Sequence, residues 1–243
     1  MKKLLIFSLM IVSALSVDAQ RKRTRTATSQ GNVVVRTGLG LNFHKEDPDG
    51  DMQYRSTNFH FTPSVGFMVI DNLEIGANLG VSYGETENVI SQNPTLNKNL
   101  TDFTKVNFGI YVQKYMPLNN WFAFYTYGNI GLSTGTRNSD NVLASVTTHD
   151  QFNSGTSTGV GGAVNFGLSF TPYNAFSLYA DLAGLFVQTE KFDPDGTAPA
   201  APIVNTTDVG FNLIGNTNHN TTSIVRPLTI GCAWYFGRGL WKK

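Results

Sequence analysis

The feature that most constrains this chain is a two-residue alternation between apolar side chains and small or polar ones. From Val33 to Phe43 the odd-numbered residues are mostly apolar, and the even-numbered ones are mostly glycine or polar. Successive side chains of a β-strand point to opposite faces, so this pattern predicts a strand with one apolar face. The pattern occurs in eight segments: 33–43, 57–69, 73–83, 105–113, 122–133, 159–170, 176–186 and 223–236.

The length of these segments and the chemistry of their minority face favour a membrane environment. Soluble strands usually have about 5–6 residues, whereas a tilted strand needs about 9–11 to cross a bilayer core. In a soluble sandwich or lipocalin the polar face would carry many Lys and Glu side chains. Here it carries mainly Gly, Ser and Asn, and only 14% of the residues are charged. The sequence therefore predicts an all-β fold, an eight-stranded antiparallel transmembrane β-barrel.

The connections between the segments alternate in length. Short turns are predicted near Asp71-Asn72, at 117–120 and at 172–175. Long polar loops are predicted at 44–56, 85–102, 137–156 and 188–222, and the last of these is the longest. Antiparallel strands with such connections place all short turns at one rim, as in outer-membrane barrels with periplasmic turns and external loops.

The chain ends predict export and a short tail on each side of the barrel. Residues 1–19 have two lysines, an apolar run and a small-residue site ending at Ala19, which is typical of a signal peptide. Residues 20–30 are interpreted as a solvated basic periplasmic tail, 31–236 as the barrel and 237–243 as a short C-terminal tail. The processed chain is formally neutral, which gives no indication of nucleic-acid binding. Cys232 is the only cysteine, so no intramolecular disulfide is expected.

The sequence resembles the small outer-membrane β-barrel family that includes the OmpA transmembrane domain and OmpX. The likeness rests on the signal peptide, the eight strands, the four long loops and the alternating final strand Leu228–Phe236. The resemblance implies an integral protein of the bacterial outer membrane, in contact with membrane lipids and lipopolysaccharide. It also implies recognition by the barrel-assembly machinery, with Trp234 and Phe236 as the assembly signal, although Trp241 follows in the tail.

Five charged or titratable side chains share the face that is predicted to line the lumen. We expect them to form a polar network that fills the barrel, because an eight-stranded barrel has room for little more than side chains. A gate or narrow path for small solutes is the alternative. The five residues are Arg36, His60, Glu74, Lys105 and Asp181.

Three other groups of residues are candidates for an enzymatic, a metal-binding or a lipid-binding site. An enzyme that modifies lipid A would need a nucleophile and base in contact, for which His60 with Ser64 or Ser82 is the available set. The Asp-rich segments 47–51 and 193–196 lack the spacing of a calcium loop and are better explained as turns. No metal or cofactor is therefore expected. Arg226, near the external rim, is a candidate contact for a lipopolysaccharide phosphate.

These observations favour a non-enzymatic outer-membrane barrel with a membrane-structural role. Its long external loops, chiefly 188–222, would supply binding to an extracellular ligand. A narrow channel is the second hypothesis and a lipid A-modifying enzyme the third.

Overall fold

In a computed structural model, the described residues of this protein form ten β-strands. The structure describes residues 26–46, 52–92, 95–143, 146–150, 153–173, 175–195, 203–213 and 229–237. Among these residues there is no helix with the length and apolar character needed to cross a membrane. The strands are β1 (Val33–Glu46), β2 (Met52–Ile70), β3 (Leu73–Gln92), β4 (Thr95–Pro117), β5 (Phe122–Leu143), β6 (Val146–His149), β7 (Gly155–Tyr173), β8 (Phe176–Pro194), β9 (Val204–Leu213) and β10 (Thr229–Phe236).

Eight of these strands form a closed antiparallel ring, which confirms the predicted barrel. The ring runs β1, β2, β3, β4, β5, β7, β8, β10, and β10 pairs with both β8 and β1. At the closing seam Val33 lies opposite Phe236 and Gly40 opposite Thr229. The remaining two strands extend the sheet outside the ring, β6 along β5 and β9 along β8.

Exposure along the strands follows the predicted alternation. On β4 and β5 the apolar side chains point outward, with Phe108 59% and Ile130 63% exposed. The alternate side chains point into the barrel, where Glu74 on β3 is 0% and Gln113 on β4 is 2% exposed. A water-soluble protein would bury the apolar set, so this inverted arrangement requires a hydrocarbon environment around the barrel.

The strands are longer than predicted, and the four predicted loops prove to be partly strand. β3 and β4 pair without interruption from Leu73 opposite Lys114 to Gln92 opposite Thr95, which covers most of the predicted loop 85–102. Similarly, β5 continues to Leu143, and β8 and β9 pair within the predicted loop 188–222. β4 has 23 residues, whereas about 9–11 are enough for one bilayer crossing. At about 3.3 Å per residue this strand is roughly 76 Å long.

A row of exposed threonines marks the place where the outward apolar side chains end and the strands leave the membrane. We call this row the threonine collar. Beyond it the outward positions carry charged and amide side chains such as Glu85, Asp102 and Asn138. The collar comprises Thr57, Thr104, Thr134, Thr158, Thr189 and Thr207.

A β-bulge in β8 changes which side chains face the lumen. Phe166 pairs with Ala183 whereas Gly167 pairs with Asp181, so Leu182 is an extra residue in β8. An extra residue reverses the inward and outward faces of the rest of the strand. The sequence pattern placed Phe186 on the outward face, which is wrong, because this bulge turns Phe186 inward and exposes Leu185 and Val187 instead.

The end of the barrel with the short turns is covered by residues 26–32. Ala27 is 3% exposed and packs with Met68 and Tyr235. The backbone N–H of Gly31 donates to the Met68 carbonyl at 2.8 Å, and that of Asn72 donates to the Thr28 carbonyl at 2.8 Å. Residues 26–30 of the predicted solvated tail are thus fixed to the barrel. Residues 1–25 and 238–243 lie outside the described part of the chain.

Candidate functional site in the barrel lumen

The main feature of the lumen is a buried network centred on Arg36. β1 directs Arg36 inward, and its guanidinium donates to the carboxylate of Glu74 on β3 and to the side-chain oxygens of Gln113 and Tyr115 on β4. Arg36 is 5% exposed and Glu74 0%. A buried ion pair of this kind survives only with further hydrogen bonds to its members, and the neighbouring side chains supply them.

Three tyrosines contact this ion pair. Tyr111 donates to Glu74 Oε1 at 2.5 Å and Tyr115 to Glu74 Oε2 at 3.1 Å. The guanidinium carbon of Arg36 lies 5.8 Å from the centre of the Tyr111 ring and 5.8 Å from that of Tyr179. Guanidinium groups bind favourably over aromatic faces. We call Arg36, Glu74, Gln113 and these tyrosines the Arg36 network.

The Arg36 network blocks the lumen at its level. Tyr111 and Tyr115 are each 2% exposed, and Tyr235, which packs below them, is 1% exposed. Side chains that lined a water-filled passage would be accessible to water, and these are not. The short-turn end of the barrel therefore has no passage wide enough for a water molecule beside these residues.

A second ion pair crosses the lumen closer to the external rim. Lys105 Nζ on β4 donates to Glu190 Oε2 on β8 at 2.7 Å, and Gln188 Nε2 donates to the same oxygen at 2.7 Å. Lys105 is 8% exposed and Glu190 7%. We call this group the Lys105–Glu190 bridge. The sequence pattern placed Glu190 in the predicted loop 188–222 and did not identify it as a lumen residue. The bulge at Leu182 changes which positions of β8 face inward, so the alternation before it does not predict the direction of Glu190.

Between the Arg36 network and the Lys105–Glu190 bridge lies a cavity of about 60 Å³. Its wall contains Asn78, Asn107, Asn129, Asn165 and Ser133, together with several glycines. The Asn78 amide donates to the Tyr127 hydroxyl at 2.5 Å, and the Asn129 amide oxygen accepts from the backbone N–H of Ala163 at 3.1 Å. A cavity of this size has room for a few water molecules, which these amide and hydroxyl groups could bind.

The five predicted lumen residues all point inward, but they fall into separate groups. Arg36 and Glu74 pair directly, and Asp181 Oδ1 accepts from the Tyr125 hydroxyl at 2.6 Å. Lys105 pairs with Glu190 instead. The tyrosines were missed as members of the Arg36 network, although Tyr111 and Tyr179 share its inward parity in the sequence.

His60, the fifth residue, contacts serine and threonine hydroxyls. Its Nδ1 lies 2.7 Å from Ser82 Oγ, and its Nε2 contacts the hydroxyl of Thr62. The enzyme hypothesis named Ser82 as a partner, and the structure brings the pair together. However, His60 is 6% exposed and points into the lumen, away from the lipid.

Other predicted residues can also be located. Trp234 and Phe236 face the lipid at 37% and 47% exposure, and the Trp234 ring lies 5.7 Å from that of Phe176. Arg226 and the Asp-rich segment 47–51 lie outside the described residues. At the other segment, β8 ends at Pro194 and the N–H of Asp195 donates to the Ser154 carbonyl at 2.9 Å. Within the described ranges no group of three or more His, Cys, Asp or Glu side chains is placed to hold a metal ion.

Beyond the threonine collar, β4 and β5 carry a hydrogen-bonded set of amide and hydroxyl side chains. Asn99 donates to Asn141 at 3.0 Å, and Thr101 donates to Asn99 at 3.1 Å and lies 3.1 Å from Ser139. Arg137 is inward-facing at the same end, 5.0 Å from the centre of the Phe192 ring. Burial lowers the pKa of Arg137 below its usual value, and the nearby Glu190 carboxylate partly opposes this.

Comparison with protein-family models agrees with this architecture. The sequence model that describes the family called outer membrane protein beta-barrel domain matches residues 7–215 of this chain. OprG from Pseudomonas aeruginosa shares 16% identity with a TM-score of 0.40, and the match covers 86% of this chain and 97% of that one. Ail of Yersinia pestis shares 15% identity with a TM-score of 0.33, covering 85% and 99%. Neisserial surface protein A shares 15% identity with a TM-score of 0.33, covering 85% and 98%.

No curated protein sequence matches the chain. The family model nevertheless spans most of its length, and the closed ring with an apolar outer face and a polar interior is the architecture that this family describes. The chain belongs to the outer membrane protein β-barrel domain family and is an integral protein of the bacterial outer membrane.

Proposed function

We propose that this protein is a non-conducting, non-enzymatic barrel that has a structural role in the outer membrane and binds extracellular partners through the strands that project beyond the threonine collar. The observation that carries the first part is the Arg36 network. Its charged and aromatic side chains fill the lumen, and Arg36, Glu74 and Tyr115 are each no more than 5% exposed.

Planar-bilayer recordings test whether the barrel conducts. Purified protein whose insertion has been checked by heat-modifiable gel migration should give a current indistinguishable from that of lipid alone. A matched variant, Tyr115→Ala with Tyr235→Ala, removes two buried rings from the obstruction and should raise the frequency of open events. Steady unitary conductance of the unaltered protein would instead support the narrow-channel hypothesis.

The binding part of the proposal rests on the preorganised amide and hydroxyl groups of β4 and β5. Asn99, Thr101, Ser139 and Asn141 face inward and hold the projecting parts of β4 and β5 together. The exposed Thr136 and Asn138 on the outer face of β5 therefore stand on a rigid backbone, which loses little conformational freedom when a polar ligand binds. Amide and hydroxyl groups suit the hydroxyls of carbohydrates, so extracellular glycans are the partners to test. The predicted segment 188–222 contributes β9 to the same projecting region.

A shortened β3–β4 hairpin tests this binding. Glu85 and Asp102 are directly paired, so replacing residues 86–101 by Asn-Gly leaves a two-residue turn that keeps the register and removes Asn99 and Thr101. Cells that express the shortened protein should adhere less to immobilised glycans than cells with the full chain. The control replaces outward Thr104 by serine, which retains the hairpin. Equal adherence of all three strains to every glycan would exclude this hairpin as the binding surface.

The enzyme hypothesis is less well supported than this proposal. Lipid A lies in the membrane around the barrel, whereas His60 and Ser82 face the lumen. We expect lipid A acylation to be unchanged in a strain that carries Ser82→Ala. Two interactions remain predictions from the sequence: contact of Arg226 with a lipopolysaccharide phosphate, and recognition of Trp234 and Phe236 by the barrel-assembly machinery.

A further inference from the structure

The external end of the lumen holds an arginine without a counter-ion. Arg137 faces inward on β5, beyond the threonine collar, and its guanidinium carbon lies 5.0 Å from the centre of the Phe192 ring on β8. Among the described residues, no oxygen accepts a hydrogen bond from this guanidinium, and no carboxylate forms an ion pair with it. An arginine side chain stays protonated in proteins, so this position carries a full positive charge.

The carboxylate that attracts Arg137 is that of Glu190, and this carboxylate already has its own partners. Glu190 Oε2 accepts from Lys105 Nζ at 2.7 Å and from Gln188 Nε2 at 2.7 Å. Because Lys105 neutralises Glu190, this carboxylate does not also neutralise Arg137. Burial lowers the pKa of Arg137, and the attraction to Glu190 opposes this only in part. The guanidinium has thus lost hydration without gaining a counter-ion in the described part of the barrel.

Small inward residues on β7 leave space beside this guanidinium. In the strand register Arg137 lies opposite Gly155, and Ser157 lies opposite Phe192. The Arg137 side chain therefore crosses the inner face of β7 to reach the Phe192 ring. The Ser157 hydroxyl shares this inner face and has no hydrogen-bond partner among the residues that the structure describes. Arg137 and Phe192 both remain partly exposed to solvent, so unused donors of Arg137 and Ser157 lie side by side where a ligand can approach.

We propose that Arg137 and Ser157 bind the carboxylate of a ligand that enters the lumen from the external side. A guanidinium donates two parallel hydrogen bonds to a carboxylate, and such charge-assisted pairs are among the strongest hydrogen bonds in proteins. The Ser157 hydroxyl supplies a further donor. Contact with the Phe192 ring holds the guanidinium in place, so it loses little conformational freedom on binding. A singly charged carboxylate suits the site better than a phosphate, because the nearby Glu190 repels additional negative charge.

Three variants separate the role of Arg137 from a general effect of charge. Arg137→Gln removes the charge and the paired donors. Arg137→Lys keeps the charge but cannot donate in parallel to both carboxylate oxygens, so it should give an intermediate affinity. Lys191→Gln is the matched control, because Lys191 precedes Phe192, is exposed on the outer face of β8 and loses the same charge. Heat-modifiable migration checks that each variant folds.

The probes are acetate and acetamide, which have the same shape, although only acetate carries a carboxylate. NMR relaxation of their methyl protons, titrated with the purified full-length protein in detergent at constant ionic strength, gives dissociation constants. The unaltered protein and Lys191→Gln should bind acetate, and Arg137→Gln should bind it at least about tenfold more weakly. Acetamide should bind to the unaltered protein no better than acetate binds to Arg137→Gln.

Equal binding of acetate by the unaltered protein and Arg137→Gln would overturn the proposal, and so would equal binding of acetate and acetamide by the unaltered protein. Stronger binding of sulfate than of acetate would overturn the choice of a carboxylate. This site goes beyond the proposed function, which concerns the outer faces of the projecting strands. Because the titration involves no adherence to glycans, its failure is distinguishable from a failure of that function.

Discussion

Replacing Glu74 by leucine tests whether the lumen is dry around Arg36. The substitution removes the carboxylate that accepts from Arg36, Tyr111 and Tyr115, and leaves the guanidinium buried with 5% exposure. Breaking one side of a buried ion pair typically costs about 3–5 kcal/mol. We expect a loss of this size in the free energy of unfolding of Glu74→Leu.

Arg36→Met completes a double-mutant cycle with Glu74→Leu. Replacing only Arg36 leaves the Glu74 carboxylate with the Tyr111 and Tyr115 hydroxyls, so its expected cost is smaller, about 2–4 kcal/mol. The double variant removes both charges and leaves two apolar side chains of similar volume, which is often close to neutral. The two single losses should therefore exceed the loss of the double variant by about 3 kcal/mol or more.

Urea unfolding of the refolded barrel in lipid vesicles gives these free energies, with tryptophan fluorescence and heat-modifiable migration as independent probes. Lys191→Met, a substitution of an exposed outward residue, is the control and should change stability by less than about 0.5 kcal/mol. If Glu74→Leu costs less than about 1 kcal/mol, water must screen the pair, as at a protein surface. That result would refute the dry obstruction and support a water-filled lumen.

Three further predictions concern other parts of the barrel. Lys105→Met leaves Glu190 with the Gln188 amide as its remaining donor in the Lys105–Glu190 bridge, and it should lower urea stability by about 1–3 kcal/mol. Asn72 has a φ of 64°, so Asn72→Val should cost about 1–2 kcal/mol in the same assay, whereas Asn72→Gly should cost less. Phe236→Ala should reduce the amount of folded barrel in cells, measured by heat-modifiable migration, more than it reduces stability after refolding in vitro.

The sequence predicted the faces of the strands well because a lipid environment favours apolar side chains on the outer face of the barrel. Nearly all outward side chains within the membrane are apolar, whichever residues neighbour them, so parity alone identifies Phe108 or Ile130 as lipid-facing. The contacts in the lumen follow a different rule. Arg36, Glu74 and Gln113 meet because neighbouring strands are staggered, and alternation reveals the face of a residue but not its height in the barrel.

The long strands were missed for a related reason. Beyond the threonine collar both faces of each strand meet water or polar groups, so the alternation that marks the membrane segment disappears. The remaining signal was the β-branched content of segments such as 86–90, with Thr86, Val89 and Ile90. Because polar residues surround Thr86, Val89 and Ile90, the segment was interpreted as a loop. In the structure, the pairing of β3 and β4 continues to Gln92 opposite Thr95.

The bulge at Leu182 is a feature that parity could not locate, and deleting this residue tests its role. Without Leu182, Asp181 is followed directly by Ala183, so a continuous β8 keeps Asp181, Gln188 and Glu190 inward and Leu185 outward. The pairs Gly167–Asp181 and Phe166–Ala183 then become consecutive, and the Lys105–Glu190 bridge is kept. We therefore expect both the deletion variant and Leu182→Ala to give the heat-modifiable folded form. Loss of the folded form in the deletion variant alone would mean that the extra residue is itself required, so the continuity of β8 beyond it would not be what sets the inward direction of Glu190.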